Sequence, residues 1–126
     1  MEQVKIPAGY QTVMPYLIIP GASKFSEFMQ TVFGAKETMR VMRDDVEIMH
    51  GELNVGGSTI MFAESNKQWE AQNAGMFIYV DNADETFKRA IEHGAVSVTG
   101  LSDQSYGRSG GVKDPCGNVW WITSVV

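Results

Sequence analysis

Cysteine is nearly absent from this sequence: Cys116 stands alone among 126 residues. A lone thiol excludes an internal disulfide framework and fits a reducing cytoplasm. Long apolar runs are missing as well. No segment approaches the roughly 20 apolar residues a membrane helix needs, and residues 1–8 hold no apolar run of signal-peptide length. The chain is therefore expected to be soluble, unexported and cytoplasmic. Basic charge is scarce too. Ten Lys and Arg against fifteen Asp and Glu leave a formal net charge of -5. That balance argues against a nucleic-acid partner, which needs a basic face. It mildly favours neutral or cationic ligands.

What is present suits one compact domain spanning residues 1–126, with 44% hydrophobic and 20% charged residues. Residues 12–19 read as a strand, with Pro15 marking an edge or a bulge. Phe25, Phe28, Met29 and Val32 recur at helical spacing, and Gly34 stands where a helix ends, so residues 23–33 form a helix. Residues 36–43 and 47–55 follow as strands. In the second of these, Met49, Leu53 and Val55 alternate with Ile48, His50, Glu52 and Asn54. Gly56-Gly57 is a hairpin turn returning into a strand at 58–63, and residues 64–74 are a polar linker. The pattern then restarts: a strand at 76–80, a helix capped by Asn82 and ended by Gly94, and strands at 95–99, 105–113 and 119–125.

Each half thus reads as strand, helix and three strands, at residues 8–64 and 74–126. Gly34-Ala35 and Gly94-Ala95 lie 60 positions apart, as do Gly57 and Gly117. The expected class is α+β, two βαβββ modules forming curved mixed sheets around a cavity. The alternative is a single ferredoxin-like sheet with extra hairpins. With a two-residue hairpin loop, Val55 pairs with Ser58 and Glu52 with Met61. His50, Glu52, Thr59 and Met61 then share the face away from the helix, and Trp121 looks into the cavity while Trp120 packs under a helix.

The run Pro15-Tyr16-Leu17-Ile18-Ile19, the ending Phe33-Gly34-Ala35, the strand Met49-His50-Gly51-Glu52-Leu53 and the turn Asp114-Pro115-Cys116-Gly117-Asn118 before Val119-Trp120-Trp121 carry a family resemblance. Over residues 8–126 the chain resembles the vicinal oxygen chelate superfamily, of the glyoxalase/bleomycin resistance/dihydroxybiphenyl dioxygenase fold. The resemblance implies that fold and leaves activity open, because the fold hosts many chemistries. Members with known chemistry hold a metal on four ligands, mostly His and Glu, from the first and last strand of each module. Here those positions fall on Met14, Met61, Gly75 and Trp121, none of which offers a suitable nitrogen or oxygen. A slip of one residue brings in Val13, Ile60, Met76 or Trp120, which are no better. No metal and no cofactor are therefore expected. Members also pair into dimers, and Pro15 with an edge-like first strand leaves room for a homodimer.

His50 and Glu52, two apart on one strand, can share a ligand or a proton, or simply satisfy a polar patch. Tyr106 and Arg108 precede the glycine pair; Arg108 can fork onto an anionic ligand or pair with a surface acid. Trp69 is either a lid over the cavity or an anchor for the linker. His93 suits the end of a helix, and Cys116 is expected to be an unreactive thiol. Two function classes follow. One is a metal-free small-molecule binding protein, with Met14, His50, Glu52, Met61, Trp121, Tyr106 and Arg108 lining the site; it resembles the family's acidic, antibiotic-sequestering members, which take a cationic drug into an aromatic cleft. The other is a divalent-metal lyase, isomerase or dioxygenase with a non-standard site that includes His50 and Glu52. No catalytic residue is assigned, and a structural module without a cavity is the third class.

Overall fold

The computed structural model describes residues 4–125. Their elements run β1 (Tyr16–Ile19), α1 (Ala22–Phe33), β2 (Lys36–Met42), β3 (Ile48–Val55), β4 (Ser58–Glu64), β5 (Gly75–Tyr79), α2 (Ala83–Glu92), β6 (Val96–Gln104), β7 (Gly107–Lys113) and β8 (Val119–Ser124). They build two separate, unclosed four-stranded sheets, ordered β1-β4-β3-β2 and β5-β8-β7-β6. In each sheet the first strand runs parallel to the last while the other pairs are antiparallel. The single ferredoxin-like sheet is thereby excluded. No helix among the described residues is long and apolar enough to cross a membrane.

Register follows from the hairpin. Gly56 and Gly57 both hold positive φ, 56° and 93°, the backbone that a two-residue turn requires. Val55 therefore meets Ser58, and Glu52 meets Met61. Leu53, Ile60 and Phe62 turn under α1, where Phe25, Met29 and Val32 bury the helix's apolar stripe. The start of α1 has no capping side chain of its own. Glu64, at the end of β4, supplies one from 42 residues away, its two carboxylate oxygens accepting the Gly21 and Ala22 N–H groups at 2.8 and 2.9 Å.

The two halves join on the helix side. One apolar core runs from Leu17, Phe25 and Phe62 to Val112, Trp120 and Ile122. Phe33 at the end of α1 packs on Trp120, ring centroids 5.0 Å apart. Arg89 of α2 donates twice to the Val32 carbonyl, at 3.1 and 2.9 Å. The turn between β7 and β8 is knotted by Asp114, which is 3% exposed. Its carboxylate accepts the Cys116 and Asn118 N–H groups, the Asn118 side-chain amide and the Trp120 indole N–H. That one acceptor explains why the turn needs Asp first and Asn last.

Three expectations change. The first strand begins at Tyr16, because residues 12–15 leave the ladder and only the Pro15 carbonyl still meets Met61. Its outer edge is not free, since the linker residue Gln72 bridges Ile18 in both directions. In β3, a bulge between the Val41–His50 and Met42–Ile48 pairs leaves Met49 without a partner. Ile48 consequently enters the core and Met49 is exposed, the reverse of simple alternation.

Candidate functional site

The face of the first sheet away from α1 carries a chain of four polar side chains. Tyr10 donates its hydroxyl to Glu52 Oε1 at 2.5 Å. Glu52 Oε2 lies 2.7 Å from His50 Nε2, and His50 Nδ1 lies 3.1 Å from the Tyr16 hydroxyl. β3 places His50 and Glu52 two residues apart on one side, and β1 brings Tyr16 beside Met61. Glu52 is 4% exposed. Burial pushes its carboxyl up, but the hydrogen bonds from Tyr10 and His50 and the charge of His50 outweigh that and hold it below the usual glutamate range. The same bond to Glu52, with burial, lifts the Tyr10 hydroxyl above the usual phenol range.

Residues 4–15 lie across this face as a strap. Gln11 donates to the Thr59 carbonyl at 2.8 Å and accepts the Thr59 N–H at 3.2 Å, while the Thr59 hydroxyl donates to the Gly9 carbonyl at 2.6 Å. Met14 and Met61 line a hollow of about 380 Å³ under the strap, with Ile6, Pro7 and Tyr10. A neighbouring hollow of about 360 Å³ is bordered by Tyr16, Ile18, Arg43, Met49, Ala63, Glu64 and Trp69. Trp69 thus stands at the rim of a hollow, which decides neither the lid nor the anchor reading.

On the second sheet, Trp121 pairs with Phe77 of β5 and lies over Gly111 of β7, where a Cβ would collide with its six-membered ring. Phe77, Tyr79 and Tyr106 join it: Phe77 and Tyr79 centroids are 5.2 Å apart, Phe77 and Tyr106 6.0 Å. All four aromatics are exposed. Trp120 is buried under the helices, as the alternation requires. Arg108 departs from the cavity reading. Alternation along β7 turns it toward α2, where it holds Asp84 of that helix at 2.9 Å, and it also pairs with Asp103 of the neighbouring β6 at 3.1 Å. It is the surface-pairing residue of the two readings.

The sequence-derived site residues do not share one hollow within a chain. Met14 and Met61 line one, and Gly75 lines another of about 420 Å³ between the halves, with Gln11, Thr59 and Phe77. Trp121 lines neither. A further hollow of about 660 Å³ lies between the end of α1, the Gly56 turn, the end of β5 and the start of α2, and contains none of them. Among the described residues no cluster of three or more His, Cys, Asp or Glu side chains could hold a metal ion. Nor do Met14, Met61, Gly75 and Trp121 supply the nitrogen and oxygen donors that the superfamily's metal needs. His50 and Glu52 occupy each other, and their remaining atoms are held by the two tyrosines.

His93 caps the end of α2. Cys116 is 4% exposed, and burial with the nearby Asp114 charge pushes its thiol up to about 12, so it is inert. Tyr10 and Tyr16 are the residues that sequence reasoning missed. Tyr16 was readable from the alternation with Leu17 and Ile19. Tyr10 sits in an irregular segment where no periodicity points to it.

With this geometry in view, the likeness to known proteins is informative. A family model described as Glyoxalase/Bleomycin resistance protein/Dioxygenase superfamily matches residues 11–122. The chain is 31% identical over 118 residues to the uncharacterized protein Rv0887c of Mycobacterium tuberculosis, covering 84% of this chain and 69% of that protein. The uncharacterized protein Mb0911c of Mycobacterium bovis has the same identity, with 78% of its length covered. Among solved structures, TioX from Micromonospora sp. ML1 superposes with a TM-score of 0.73 at 23% identity, covering 92% of this chain and 97% of that one. The fosfomycin resistance protein FosX from Listeria monocytogenes gives 0.73 at 16% identity, covering 96% of each. At these identities the structural likeness is one of fold.

Proposed function

Since this chain belongs to the Glyoxalase/Bleomycin resistance protein/Dioxygenase superfamily, we propose that it binds a small molecule without a metal, on the helix-free faces of its two sheets. The observation that carries this reading is the chemistry at the four superfamily ligand positions: two thioethers, a glycine and an indole, Met14, Met61, Gly75 and Trp121. Such groups hold a flat or apolar ligand by burial and stacking, and the polar chain around His50 and Glu52 orients it. The acidic balance and the exposed aromatic cluster of Trp121, Phe77, Tyr79 and Tyr106 favour a cationic aromatic ligand. Sequestration of an antibiotic is the form of binding this points to. The metal-dependent alternative would have to break the His50–Glu52 pair and both tyrosine bonds to free its donors.

The sulfur-lined hollow and the aromatic cluster lie on different sheets and do not meet within one chain. A homodimer in the cytoplasm, with the first sheet of one copy facing the second sheet of the other, would close them over one ligand. Titration with proflavine, a flat aromatic cation, tests the site. Saturable quenching of tryptophan fluorescence is expected, with affinity weakened about tenfold in Trp121→Ala, the loss of one stacking or cation–π contact of about 1.4 kcal/mol. Quenching that does not saturate, or that is the same in Trp121→Ala and Met61→Ala as in the parent chain, would contradict the assignment.

A further inference from the structure

The 660 Å³ hollow between the two halves is left unused by a ligand held on the sheet faces. Its volume is that of a small-molecule pocket. Residues 77–80 border it in unbroken succession, so side chains of both faces meet it and it lies along the outer edge of β5. Val80 donates its N–H to the Thr123 carbonyl of β8. Alternation along the ladder therefore turns the Tyr79 carbonyl outward, to the hollow. The border is acidic. Asp81 and Glu85 stand at its α2 end, and neither forms an ion pair among the described residues. Among those residues Arg89 is the one cation on the border, a helical turn from Glu85, yet both of its hydrogen bonds go to the Val32 carbonyl of α1. Asn82 takes the Glu85 N–H and Ser124 the Ala83 N–H, which removes two of the donors an anion would use at the start of α2. Thr86 adds an independent sign. It is 5% exposed and borders the hollow, and its hydroxyl has no partner among the described residues. No enclosed side-chain oxygen among them lacks a partner, so this hydroxyl opens into the hollow.

We propose that this hollow is a second binding site, for a small organic cation: a protonated amine carried on an apolar body. The ammonium group sits at the α2 end. There Asp81 and Glu85 supply opposite charge, and the Thr86 hydroxyl and Tyr79 carbonyl accept its protons. The body lies against Phe77 and Tyr79, whose ring centroids are 5.2 Å apart, and reaches Val55 on the far wall. Because the walls come from both halves, an occupant holds the halves together and stabilises the folded chain. Met14, Met61 and Trp121 do not border this hollow, so the assignment stands apart from the ligand proposed for the sheet faces.

The test is titration of the intact chain with phenethylammonium at neutral pH, followed by backbone amide chemical shifts. 2-Phenylethanol and 3-phenylpropionate serve as neutral and anionic bodies of similar size. Saturable shifts at the Asp81, Glu85 and Thr86 amides are expected, with the amine binding at least about tenfold tighter than the alcohol or the acid. The double variant Asp81→Asn, Glu85→Gln changes two exposed side chains to neutral isosteres. It should keep a dispersed spectrum and bind the amine no better than the alcohol. No saturable shift at those amides, equal affinity for the three probes, tighter binding of the acid, or an unchanged amine affinity in the double variant each overturns the proposal. Trp121→Ala separates this site from the sheet faces: it weakens proflavine and should leave the amine's shifts at α2 as they were. A failed proflavine titration therefore leaves this result standing, and failure here leaves the proflavine result standing.

Discussion

Glu52 and Asp114 are buried carboxylates with different tasks. Asp114 gathers four N–H donors and holds a turn, so Asp114→Ala orphans a buried indole N–H and two backbone N–H groups. A loss of about 3 kcal/mol in denaturant unfolding is expected, with the Trp120 environment disturbed in near-ultraviolet circular dichroism. A loss under about 1 kcal/mol would contradict that assignment. Glu52 instead couples the strap to the sheet, and its stabilising effect depends on pH. Its carboxyl is held below the usual glutamate range in the folded chain, so this stability is present above that range and is lost as pH falls through the lowered value. Glu52→Gln should therefore flatten the acid limb of a plot of unfolding free energy against pH. An acid limb identical to that of the parent chain would show that the Tyr10–Glu52–His50 bonds do not act in solution.

At the scale of elements, much was legible. Two glycines at 56 and 57 set the β3–β4 register, and through it the companions of Glu52 on the open face. Asn82 marked the start of α2, where it accepts the Glu85 N–H, and Gly34, at φ 68°, marked the end of α1. Less legible were features in which distant segments decide. The β2–β3 bulge swaps Ile48 for Met49, and no local alternation announces it. The 60-residue repeat register holds between β4 and β8 but slips in the strands before them. Glu52 pairs with Met61, whereas Gly111 rather than Val112 pairs with Trp121. The five-residue turn at 114–118 replaces a two-residue one and shifts the partner strand. That slip puts a glycine under the Trp121 ring. Gly111→Ala should drive the indole off the sheet, cost about 1–3 kcal/mol in denaturant unfolding and weaken proflavine binding. Unchanged stability and binding would mean that the ring does not rest there.

The whole molecule is two sheets locked together through their helices, with their other faces turned away from the shared core. Fold class and family were readable because glycine turns, helix caps and the Asp114–Asn118 turn are local signals. The site was only half readable. Face assignment placed His50, Glu52, Met61 and Trp121 correctly with respect to the helices, but no spacing rule tells how far one sheet's face lies from the other's. The strap of residues 4–15, which hides Met61 and engages Glu52, was not legible at all, because its contacts are hydrogen bonds of irregular backbone. Solution scattering of the purified chain should return the mass of two chains; a single-chain mass would leave the sulfur-lined and aromatic faces unjoined. The most direct test of the account is the divalent-metal content of protein purified without chelators. Far less than one ion per chain is predicted, unchanged in His50→Ala. One ion per chain, lost in that variant, would contradict a site built from sulfur and indole.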